Sequence, residues 1–328
     1  MPSIAIIGAG LSGVSLSLLL DDRFNATIIE KSSRPGGRIS TKIKNPYEFD
    51  HGTQYFKVKS PDFKKFLVPL FEKNLIKPWT FKFANISNVN HYNYNFVKYE
   101  DKYYVGVPSM NSFIRQLANK CNVIFNKTVY SLKKVENKWS IRDKYKNKIG
   151  IFDWVIISTP VEQACKLLPH NHFFNSIVNS FKMKSLYTLM VGMKKPINLK
   201  FDAASVKNCD VSWIAVNSKK PSRNGNFSMV INSSYEYAKW NLQTYKNKVM
   251  THLENVTNKI IKKDLTKANF KMLHKWNYVE CETYPKSDFF LDKYNKIGLC
   301  GDWCVNSRVE GAFMSAKKLS TELNNLIV

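Results

Sequence analysis

Three runs of mostly aliphatic residues stand out in the hydrophobic pattern of this chain. They cover residues 4–7, 26–29 and 152–158, and each is of a length that suits one strand. Because the apolar residues continue without alternation, the runs predict strands buried on both faces, as in a parallel sheet. A helix-like stretch, 14–20, lies between the first two runs. The order strand, helix, strand predicts a βαβ unit at this end of the chain.

The rest of the pattern predicts antiparallel strands with helices between them. Aromatic and polar residues alternate over 79–105, and apolar residues recur at helical spacing over 60–75. Between about 161 and 285, helical pieces at 162–168 and 235–256 separate strands at 185–193 and 226–232. Further predicted elements are a helix starting at 107–110, which Ser109 can cap, a strand at 121–125, an antiparallel ribbon of 128–132 and 139–142, a strand and turn at 297–302, and a final helix from 309 to about 326.

The first strand runs directly into a glycine-rich turn. Gly8, Gly10 and Gly13 fit the pattern G-x-G-x-x-G. In a dinucleotide-binding turn the first glycine permits the tight turn, the second lets the backbone approach a pyrophosphate, and the third lets helix and strand pack closely. Glu30 ends the second strand, where its carboxylate can accept hydrogen bonds from ribose hydroxyls. These features predict a bound dinucleotide; the alternative is a βαβ unit whose glycines serve packing alone.

A second phosphate contact is predicted directly after Glu30. Residues 31–38 form a turn rich in glycine and proline that carries Arg34 and Arg38. The paired glycines expose backbone N–H groups, and Arg38 can make a bidentate contact to a phosphate. The arrangement E-x5-G-G-R resembles the FAD-binding flavoproteins of the amine oxidase, phytoene desaturase and protoporphyrinogen oxidase superfamily. The resemblance implies that the dinucleotide is FAD.

The pattern and the resemblance together predict an α/β fold with two domains. A Rossmann-like FAD-binding domain takes residues 1–53, 106–160 and 286–328. An inserted α+β substrate-binding domain, built on an antiparallel sheet, takes residues 54–105 and 161–285. A chain of 328 residues is long enough for two such cores.

The charge of the chain bears on its partners. The formal net charge is +25, but nearly all basic residues are lysines, which occur in every segment and alternate with Asn and Ile. This spread favours a solvated surface and no nucleic-acid partner. A flavin-containing nucleic-acid-binding protein is the alternative that charge alone suggests. A weaker role for the charge is also open: the positive field of the protein would attract small phosphate-bearing substrates.

Cysteine usage and hydropathy predict a cytoplasmic protein. The six cysteines form no C-x-x-C pair and lie at no zinc-like spacing to histidine, so we expect reduced thiols and no metal. No apolar run approaches the ~20 residues that span a bilayer. The first strand begins at Ser3, which leaves no room for a signal peptide. We therefore expect neither secretion nor a membrane partner.

The C-terminal segment predicts a second group of cofactor contacts. A strand at 297–299 leads to Gly301 and Asp302, and this carboxylate can hydrogen-bond ribityl or ribose hydroxyls. The helix that begins at Val309 can direct its positive N-terminal end at the flavin edge, where negative charge develops on reduction. Cys304 raises the question of a covalent flavin link, but its local context differs from that of related oxidases. We therefore expect non-covalent FAD.

Four more stretches extend the resemblance over essentially the whole chain. They are 50–56 (DHGTQYF), 104–110 (YVGVPSM), 274–278 (HKWNY) and 301–312 (GDWC, then RVEGA). In this order they resemble a bacterial renalase-like flavoprotein. The resemblance implies an oxidase that acts on 2- or 6-dihydro isomers of NAD(P)H and reduces O2 to H2O2. One departure is Asn306-Ser307 before Arg308, where a glycine would be comfortable.

The candidate site residues follow from these motifs. A dihydropyridine gives up hydride without first losing a proton, so no general base is required; an amine oxidase or desaturase on the same scaffold is the alternative. The expected substrate-site residues are His274, Tyr55, Gln54 and Trp276, with Trp213 and Tyr278 as further flat surfaces, although core packing explains each aromatic side chain or histidine more readily when it is taken alone. The expected FAD-binding residues are Gly8, Gly10, Leu11, Ser12, Gly13, Glu30, Lys31, Gly37, Arg38, His51, Gly52, Thr53, Val129, Thr159, Gly301, Asp302, Arg308, Val309, Glu310 and Ala312. The expected partners are a phosphate-bearing dinucleotide substrate and O2.

Overall fold

The computed structural model describes residues 1–89, 91–97, 101–223 and 225–327. The strands are β1 Ser3–Ile7, β2 Asn25–Ile29, β3 Lys42–Lys44, β4 Tyr47–Phe49, β5 Ile76–Pro78, β6 Phe83–Val89, β7 His91–Val97, β8 Tyr104–Gly106, β9 Val123–Ile124, β10 Ser131–Val135, β11 Lys138–Arg142, β12 Lys148–Phe152, β13 Trp154–Ile157, β14 Leu186–Met193, β15 Ala203–Lys207, β16 Val211–Val216, β17 Phe227–Ser233, β18 Phe270–Trp276, β19 Phe290–Asp292 and β20 Ile297–Leu299. The helices are α1 Leu11–Leu19, α2 Pro61–Glu72, α3 Ser112–Ala118, α4 Val161–Leu167, α5 Phe174–Val178, α6 Tyr235–Trp240, α7 Lys246–Ile261 and α8 Val309–Asn324, with 3-10 turns at Asn217–Lys219, Asp302–Cys304 and Asn325–Ile327.

A largely parallel six-stranded sheet forms the first layer of the molecule. Its order is β19-β20-β13-β1-β2-β9, and only β19 runs antiparallel to its neighbour. Ile4 and Ile6 of β1 are buried on the face that α1 and α8 cover, while Ala5 and Ile7 are buried on the other face. The three aliphatic runs are thus confirmed as strands of a parallel sheet buried on both faces, and the α/β class is confirmed.

A seven-stranded sheet forms the second layer. Its order is β18-β14-β17-β16-β15-β6-β7, and every pairing is antiparallel except that of β15 with β6. Helix α7 packs on it through Val249, Leu253 and Ile260, which are fully buried. The strands come from two separate parts of the chain, 83–97 and 186–276, as an inserted sheet requires. Residues 90 and 98–100, which fall inside the predicted strands over 79–105, lie outside the described residues.

Two local predictions were wrong. Ser109 does not cap α3, which begins at Ser112; its hydroxyl instead donates to Asn111 Oδ1 at 2.9 Å. The helix expected over 235–256 is two helices, α6 and α7. They separate because Asn241 and Thr244 form local bonds that replace the helical ladder: Thr244 N donates to Asn241 O at 3.1 Å, and Thr244 Oγ1 donates to Asn241 Oδ1 at 3.0 Å.

Candidate active site

A cavity of about 2440 Å³ lies where the two sheets approach one another. One end is formed by the glycine turn after β1 and the ends of β2 and β13. The other end is formed by one face of the seven-stranded sheet, together with residues 51–57 and the start of α8. The carboxyl ends of parallel strands are where open α/β sheets bind ligands, so the position agrees with a dinucleotide site.

The three motif glycines have three different surroundings. Gly8 has φ +110°, a conformation that L side chains rarely adopt. A Cβ on Gly13 would lie 2.0 Å from the carbonyl oxygen of Gly8, so this glycine permits close packing of α1 against the turn. A Cβ on Gly10 would meet no atom within 4 Å, and Gly10 lines the cavity. The turn therefore leaves an open cradle at Gly10, of the kind that a pyrophosphate fills.

Glu30 organises the backbone around this cradle. Its carboxylate is buried, with Oε2 accepting from Ala9 N and Oε1 accepting from Ser32 N, both at 2.8 Å. The turn that follows is tied to the same place, because Gly36 N donates to Ala9 O at 2.9 Å. The two predicted phosphate motifs are thus hydrogen-bonded to each other at the end of the sheet.

Arg38 is held between two other segments. One guanidinium nitrogen lies 2.5 Å from Asp302 Oδ1, and another donates to Val279 O at 2.9 Å. The side chain of Arg38 is about a quarter exposed and borders the cavity. The ion pair brings together two side chains for which separate contacts to the cofactor are predicted. The positive charge of Arg38 and the negative charge of Asp302 compensate each other.

The C-terminal segment closes one wall of the cavity. Ser12 Oγ donates to Ala312 O at 2.9 Å, which joins α1 to the first turn of α8. The unexpected Ser307 has φ +51°, a conformation that suits glycine, and its hydroxyl accepts a hydrogen bond from Cys281 N at 2.9 Å. Glu310 accepts from the backbone N–H groups of Lys59 and Ser60 at 2.8 and 2.7 Å, so this carboxylate anchors the segment before α2.

A buried charge cluster fixes the loop that follows β4. Asp50 Oδ2 lies 3.1 Å from Lys220 Nζ and 2.7 Å from a guanidinium nitrogen of Arg223, and all three side chains are at most 1 % exposed. Burial alone would raise the pKa of Asp50, but the charges of Lys220 and Arg223 lower it to about 2. Burial lowers the pKa of Lys220 to about 8. We call Asp50, Lys220 and Arg223 the Asp50 cluster.

Gln54 is hydrogen-bonded to the Asp50 cluster and also borders the cavity. Its Nε2 donates to Asp50 O at 2.5 Å and to Gly52 O at 3.0 Å, while its Oε1 accepts from Lys220 Nζ at 3.3 Å. Gln54 therefore shapes the backbone of residues 50–54, and its amide is already committed to the protein. Sequence reasoning missed Lys220 and Arg223, since nothing distinguishes them among 50 basic residues.

Three rings meet at the substrate end of the cavity. His51 stacks on Trp276 with ring centroids 5.2 Å apart, and His274 meets both rings edge-on, at 5.0 and 4.4 Å. Trp276 Nε1 donates to His51 O at 2.9 Å, which fixes the indole. Burial, and secondly His274, lower the pKa of His51 to about 4. Burial also lowers the pKa of His274, so both imidazoles are neutral at pH 7.

A row of residues across the seven-stranded sheet faces the same space. His274 is paired with Thr188, Thr188 with Asn232, and Asn232 with Trp213, and all four line the cavity. Tyr55 closes this end, with its ring 5.7 Å from that of Trp213. Sequence reasoning missed Thr188 and Asn232, because polar residues inside a strand are equally common on solvated faces.

Most predicted site residues line this one cavity, although Gly13 and Gly301 serve packing beside it. A Cβ on Gly301 would lie 2.6 Å from Trp303, whose Nε1 donates to Thr159 O at 3.1 Å. The predicted residues that border the cavity are Gly8, Gly10, Leu11, Ser12, Glu30, Lys31, Gly37, Arg38, His51, Gly52, Thr53, Gln54, Tyr55, Val129, Thr159, His274, Trp276, Asp302, Arg308, Val309, Glu310 and Ala312. Their roles towards a ligand stay predictions.

The histidine, cysteine and acidic side chains show neither a metal centre nor a disulfide in the described part of the chain. Over the described ranges, no group of three or more His, Cys, Asp or Glu side chains is arranged to hold a metal ion. The six cysteines are free thiols. No helix in the described part of the chain is both long and apolar enough to cross a bilayer.

Comparisons with known proteins place this geometry in a family. Residues 6–70 match the family model of the NAD(P)-binding Rossmann-like domain, and residues 87–324 match that of the flavin-containing amine oxidoreductases. The second match covers most of the chain. The chain belongs to the family of flavin-containing amine oxidoreductases. Its chemistry is therefore FAD-dependent oxidation and reduction, and FAD is its cofactor.

Solved structures show the same fold at low identity. A protein assigned as a protoporphyrinogen oxidase from Exiguobacterium superposes with a TM-score of 0.81 at 10 % identity, over 99 % of both chains. Cyclohexylamine oxidase from Brevibacterium oxydans gives a TM-score of 0.77 at 10 % identity, also over 99 % of both chains.

Coproporphyrinogen III oxidase from Staphylococcus aureus is 40 % identical over 57 residues, which are 16 % of this chain and 12 % of that relative.

The residues present fit FAD. The open cradle at Gly10, the Glu30 carboxylate and the Gly36-Gly37 turn would hold its phosphates and ribose, and Val129 and Thr159 border the same part of the cavity. When bound, FAD supplies a two-electron acceptor, while the protein orients the substrate and tunes the electrostatics.

Proposed function

We propose that this member of the family is a renalase-like oxidase. Its substrates are the 2- and 6-dihydro isomers of NADH and NADPH, which lose a hydride and become NAD(P)+. The two electrons pass on to O2, which takes up two protons to give H2O2. One observation carries the proposal: the substrate end of the cavity is walled by the flat rings of His51, Trp276 and His274, with both imidazoles neutral.

The bond that breaks in the substrate decides which groups the site must supply. A dihydropyridine is already a hydride donor, so its site needs a stacking surface and an aligned acceptor but no base. His274 is half-buried, and its ring forms no hydrogen bond within the described chain. The imidazole is therefore available to hydrogen-bond a substrate without having to remove a proton from it.

The charge of the cavity suits a phosphate-bearing substrate. Among the described residues, nine cationic side chains and five carboxylates line it. Four of those carboxylates are already bonded to protein groups: Glu30, Asp210, Asp302 and Glu310. Lys57, Lys59 and Arg308 are among these cations, and the charges of Lys57 and Arg308 act on Tyr55 at the substrate end. Lys57 and Arg308 are also paired with Asp101 and Glu280, at 2.5 and 3.4 Å. A pyrophosphate, or the additional phosphate of an NADPH isomer, would find cations there.

We further propose that FAD is bound without a covalent link and that the protein is cytoplasmic. Cys304 is 2 % exposed, burial raises the pKa of its thiol well above the usual range, and it is not among the described residues that line the cavity. A buried neutral thiol is a poor nucleophile. Six free cysteines also suit a reducing compartment.

Oxidation of a primary amine is the second candidate, and one observation favours it. The carboxylates of Asp210 and Glu236 also line the cavity, and a carboxylate would attract an ammonium group. Asp210 is, however, bonded to His252 at 2.8 Å, and Glu236 is exposed on the first turn of α6. Neither is placed beside the rings of His51 and Trp276 by any contact among the described residues.

Anaerobic rapid mixing separates the two candidates. The dihydro isomers should bleach the visible flavin band quickly, whereas ordinary NADPH and primary alkylamines should bleach it slowly. His274→Ala should weaken substrate binding more than it slows bleaching at saturation, because His274 anchors the ring and is not a base. Fast bleaching by a primary amine, together with a His274→Ala variant that binds normally but cannot be reduced, would establish the amine oxidase instead.

A further inference from the structure

One hydrogen bond decides what the seven-stranded sheet offers to a ligand in the cavity. It lies within the row formed by His274, Thr188, Asn232 and Trp213. Thr188 is fully buried, and its hydroxyl donates to Asn232 Oδ1 at 3.0 Å. A carboxamide oxygen accepts and its nitrogen donates, so this bond turns the oxygen of Asn232 towards Thr188 and fixes the orientation of the amide. The Asn232 Nδ2 has no partner among the described residues, and Asn232 borders the cavity. What Asn232 presents to a ligand is therefore a pair of N–H donors.

His274 complements this amide from the other side of Thr188. Directly paired residues of an antiparallel sheet point to the same face, so His274 and Asn232 flank Thr188 with their Cα atoms roughly 10 Å apart, two interstrand spacings. The neutral imidazole of His274 has one nitrogen that accepts a hydrogen bond. The face thus offers a donor at Asn232 and an acceptor at His274, on either side of a buried hydroxyl.

We propose that Asn232, oriented by Thr188, and His274 form a binding subsite for a planar ring that carries a primary carboxamide. Asn232 donates to the carboxamide oxygen, and His274 accepts from the carboxamide nitrogen. The ring itself lies against the surface formed by His51 and Trp276. The inference rests on the proposed function, since a nicotinamide is such a ring, and it adds the residues that recognise it. Thr188 is a positioning residue, because it acts through Asn232.

This arrangement also discriminates against an amine. An ammonium group carries only N–H donors, and it would meet the N–H donors of Asn232, whose oxygen is turned towards Thr188. A ring without a carbonyl would leave the donors of Asn232 unpaired on binding, and an unpaired buried donor lowers the affinity. The subsite therefore favours a carboxamide-bearing ring over an amine and over a ring that lacks a carbonyl.

Two redox-inert ligands test the subsite in the FAD-bound protein. Nicotinamide and 3-methylpyridine share a ring and differ in the carboxamide. Both are titrated while the visible spectrum of the bound flavin is recorded, so the readout does not depend on turnover. We expect nicotinamide to bind at least tenfold more tightly. Equal affinities, or no spectral change with nicotinamide up to its solubility limit, would overturn the proposal.

Variants show which residues carry the preference. Thr188→Val frees the amide of Asn232 to rotate and should weaken nicotinamide binding about tenfold, with no change for 3-methylpyridine. Thr188→Ser restores the hydroxyl and should restore the affinity, and Asn232→Leu should abolish the preference. The matched control is Ser205→Ala, since Ser205 donates to Asn85 Oδ1 at 2.7 Å in the same sheet but borders no part of the cavity within the described chain. A Thr188→Val variant that keeps the full preference would contradict the role of Thr188 even if Asn232→Leu fails to fold.

The outcomes separate this subsite from the proposed function. If nicotinamide is preferred and the variants lose the preference, but no dihydro isomer bleaches the flavin, the proposed oxidase is wrong and the subsite stands. If the dihydro isomers bleach the flavin quickly in the wild type and equally well in Thr188→Val and Asn232→Leu, the oxidase stands and the subsite is wrong.

Discussion

At the scale of single residues, two glycines of one turn allow ligand binding and packing to be separated. Gly10 has extended backbone angles, φ −74° and ψ 177°, and a Cβ there would meet only the cavity. Gly10→Val should therefore leave the free energy of unfolding of the apoprotein nearly unchanged while lowering the affinity for FAD at least tenfold. Urea unfolding of the apoprotein and a fluorescence titration with FAD measure the two quantities.

Gly13→Ala is the matched control. Its Cβ would lie 2.0 Å from the carbonyl oxygen of Gly8, so the apoprotein itself should be destabilised by about 1–3 kcal/mol, as overpacking usually costs. If Gly10→Val bound FAD as tightly as the wild type, the pyrophosphate would not lie on this turn. If instead both variants destabilised the apoprotein equally, the open space at Gly10 would be misassigned.

The residues that sequence reasoning could find are those whose role is fixed by neighbours in the chain. Gly8, Gly10 and Glu30 are identified by spacing, because the strand, the turn and the next strand follow within 30 residues. Thr188 and Asn232 are different. Their role depends on pairing between β14 and β17, whose register no local pattern specifies. A contact made across the sheet is not visible in the sequence of either strand.

At the scale of elements, the Asp50 cluster holds the loop after β4 against the 3-10 turn at 217–219 and the residues that follow it. Lys220→Met should lower the free energy of unfolding by about 3 kcal/mol, because it leaves Gln54 Oε1 without its donor and removes one of the two cations that compensate Asp50. FAD affinity should fall as well, since residues 51–54 border the cavity. Urea unfolding and FAD titration are the measurements.

The neighbouring lysine supplies the control. Lys219 Nζ lies 2.5 Å from Asp202 Oδ1, but its side chain is half exposed, so Lys219→Met should cost no more than about 1 kcal/mol and should leave FAD affinity unchanged. Equal losses in the two variants would mean that the Asp50 cluster does not support the cavity. A stable Lys220→Met protein that binds FAD normally would show the same.

Elements were predicted well where periodicity was long and poorly where a local bond intervened. Helix α8 was expected from residue 309 and begins there. The helix expected over 235–256 was wrong because Asn241 and Thr244 bond to each other and break the ladder, although the apolar spacing continues through them. Hydrophobic periodicity shows which face is buried, and it does not show where side chains compete with the backbone.

At the scale of the whole molecule, a net charge of +25 should act on association and leave the chemical step alone. The screening length falls from about 30 Å at 0.01 M salt to about 8 Å at 0.15 M. On the proposed function, kcat/KM for an NADPH isomer should therefore fall about tenfold over this range while kcat stays constant. The isomer of NADH, which lacks one phosphate, should show a smaller fall. Steady-state kinetics at several ionic strengths measure both constants.

Two outcomes would contradict this role of charge. A kcat that falls in parallel with kcat/KM would mean that salt disturbs the site itself. Identical salt dependence for the two isomers would mean that the additional phosphate is not sensed by the cations around the cavity. The lysine-rich surface would then be a solvated face alone.

The parallel pairing of β15 with β6 has a consequence for how the chain acquires its shape. Phe83 pairs with Ala203, so the edge of β6 stays unpaired until the ribosome has delivered about 120 more residues, on the order of ten seconds of synthesis. The other sheet waits longer, because β13 pairs early with β1 but gains its second neighbour, β20, only when Ile297 is made. Contacts so distant along the chain slow folding, and open strand edges invite association between unfinished chains. Neither sheet is complete before its last strand is made, so the cofactor cavity between them is among the last features to form during biogenesis.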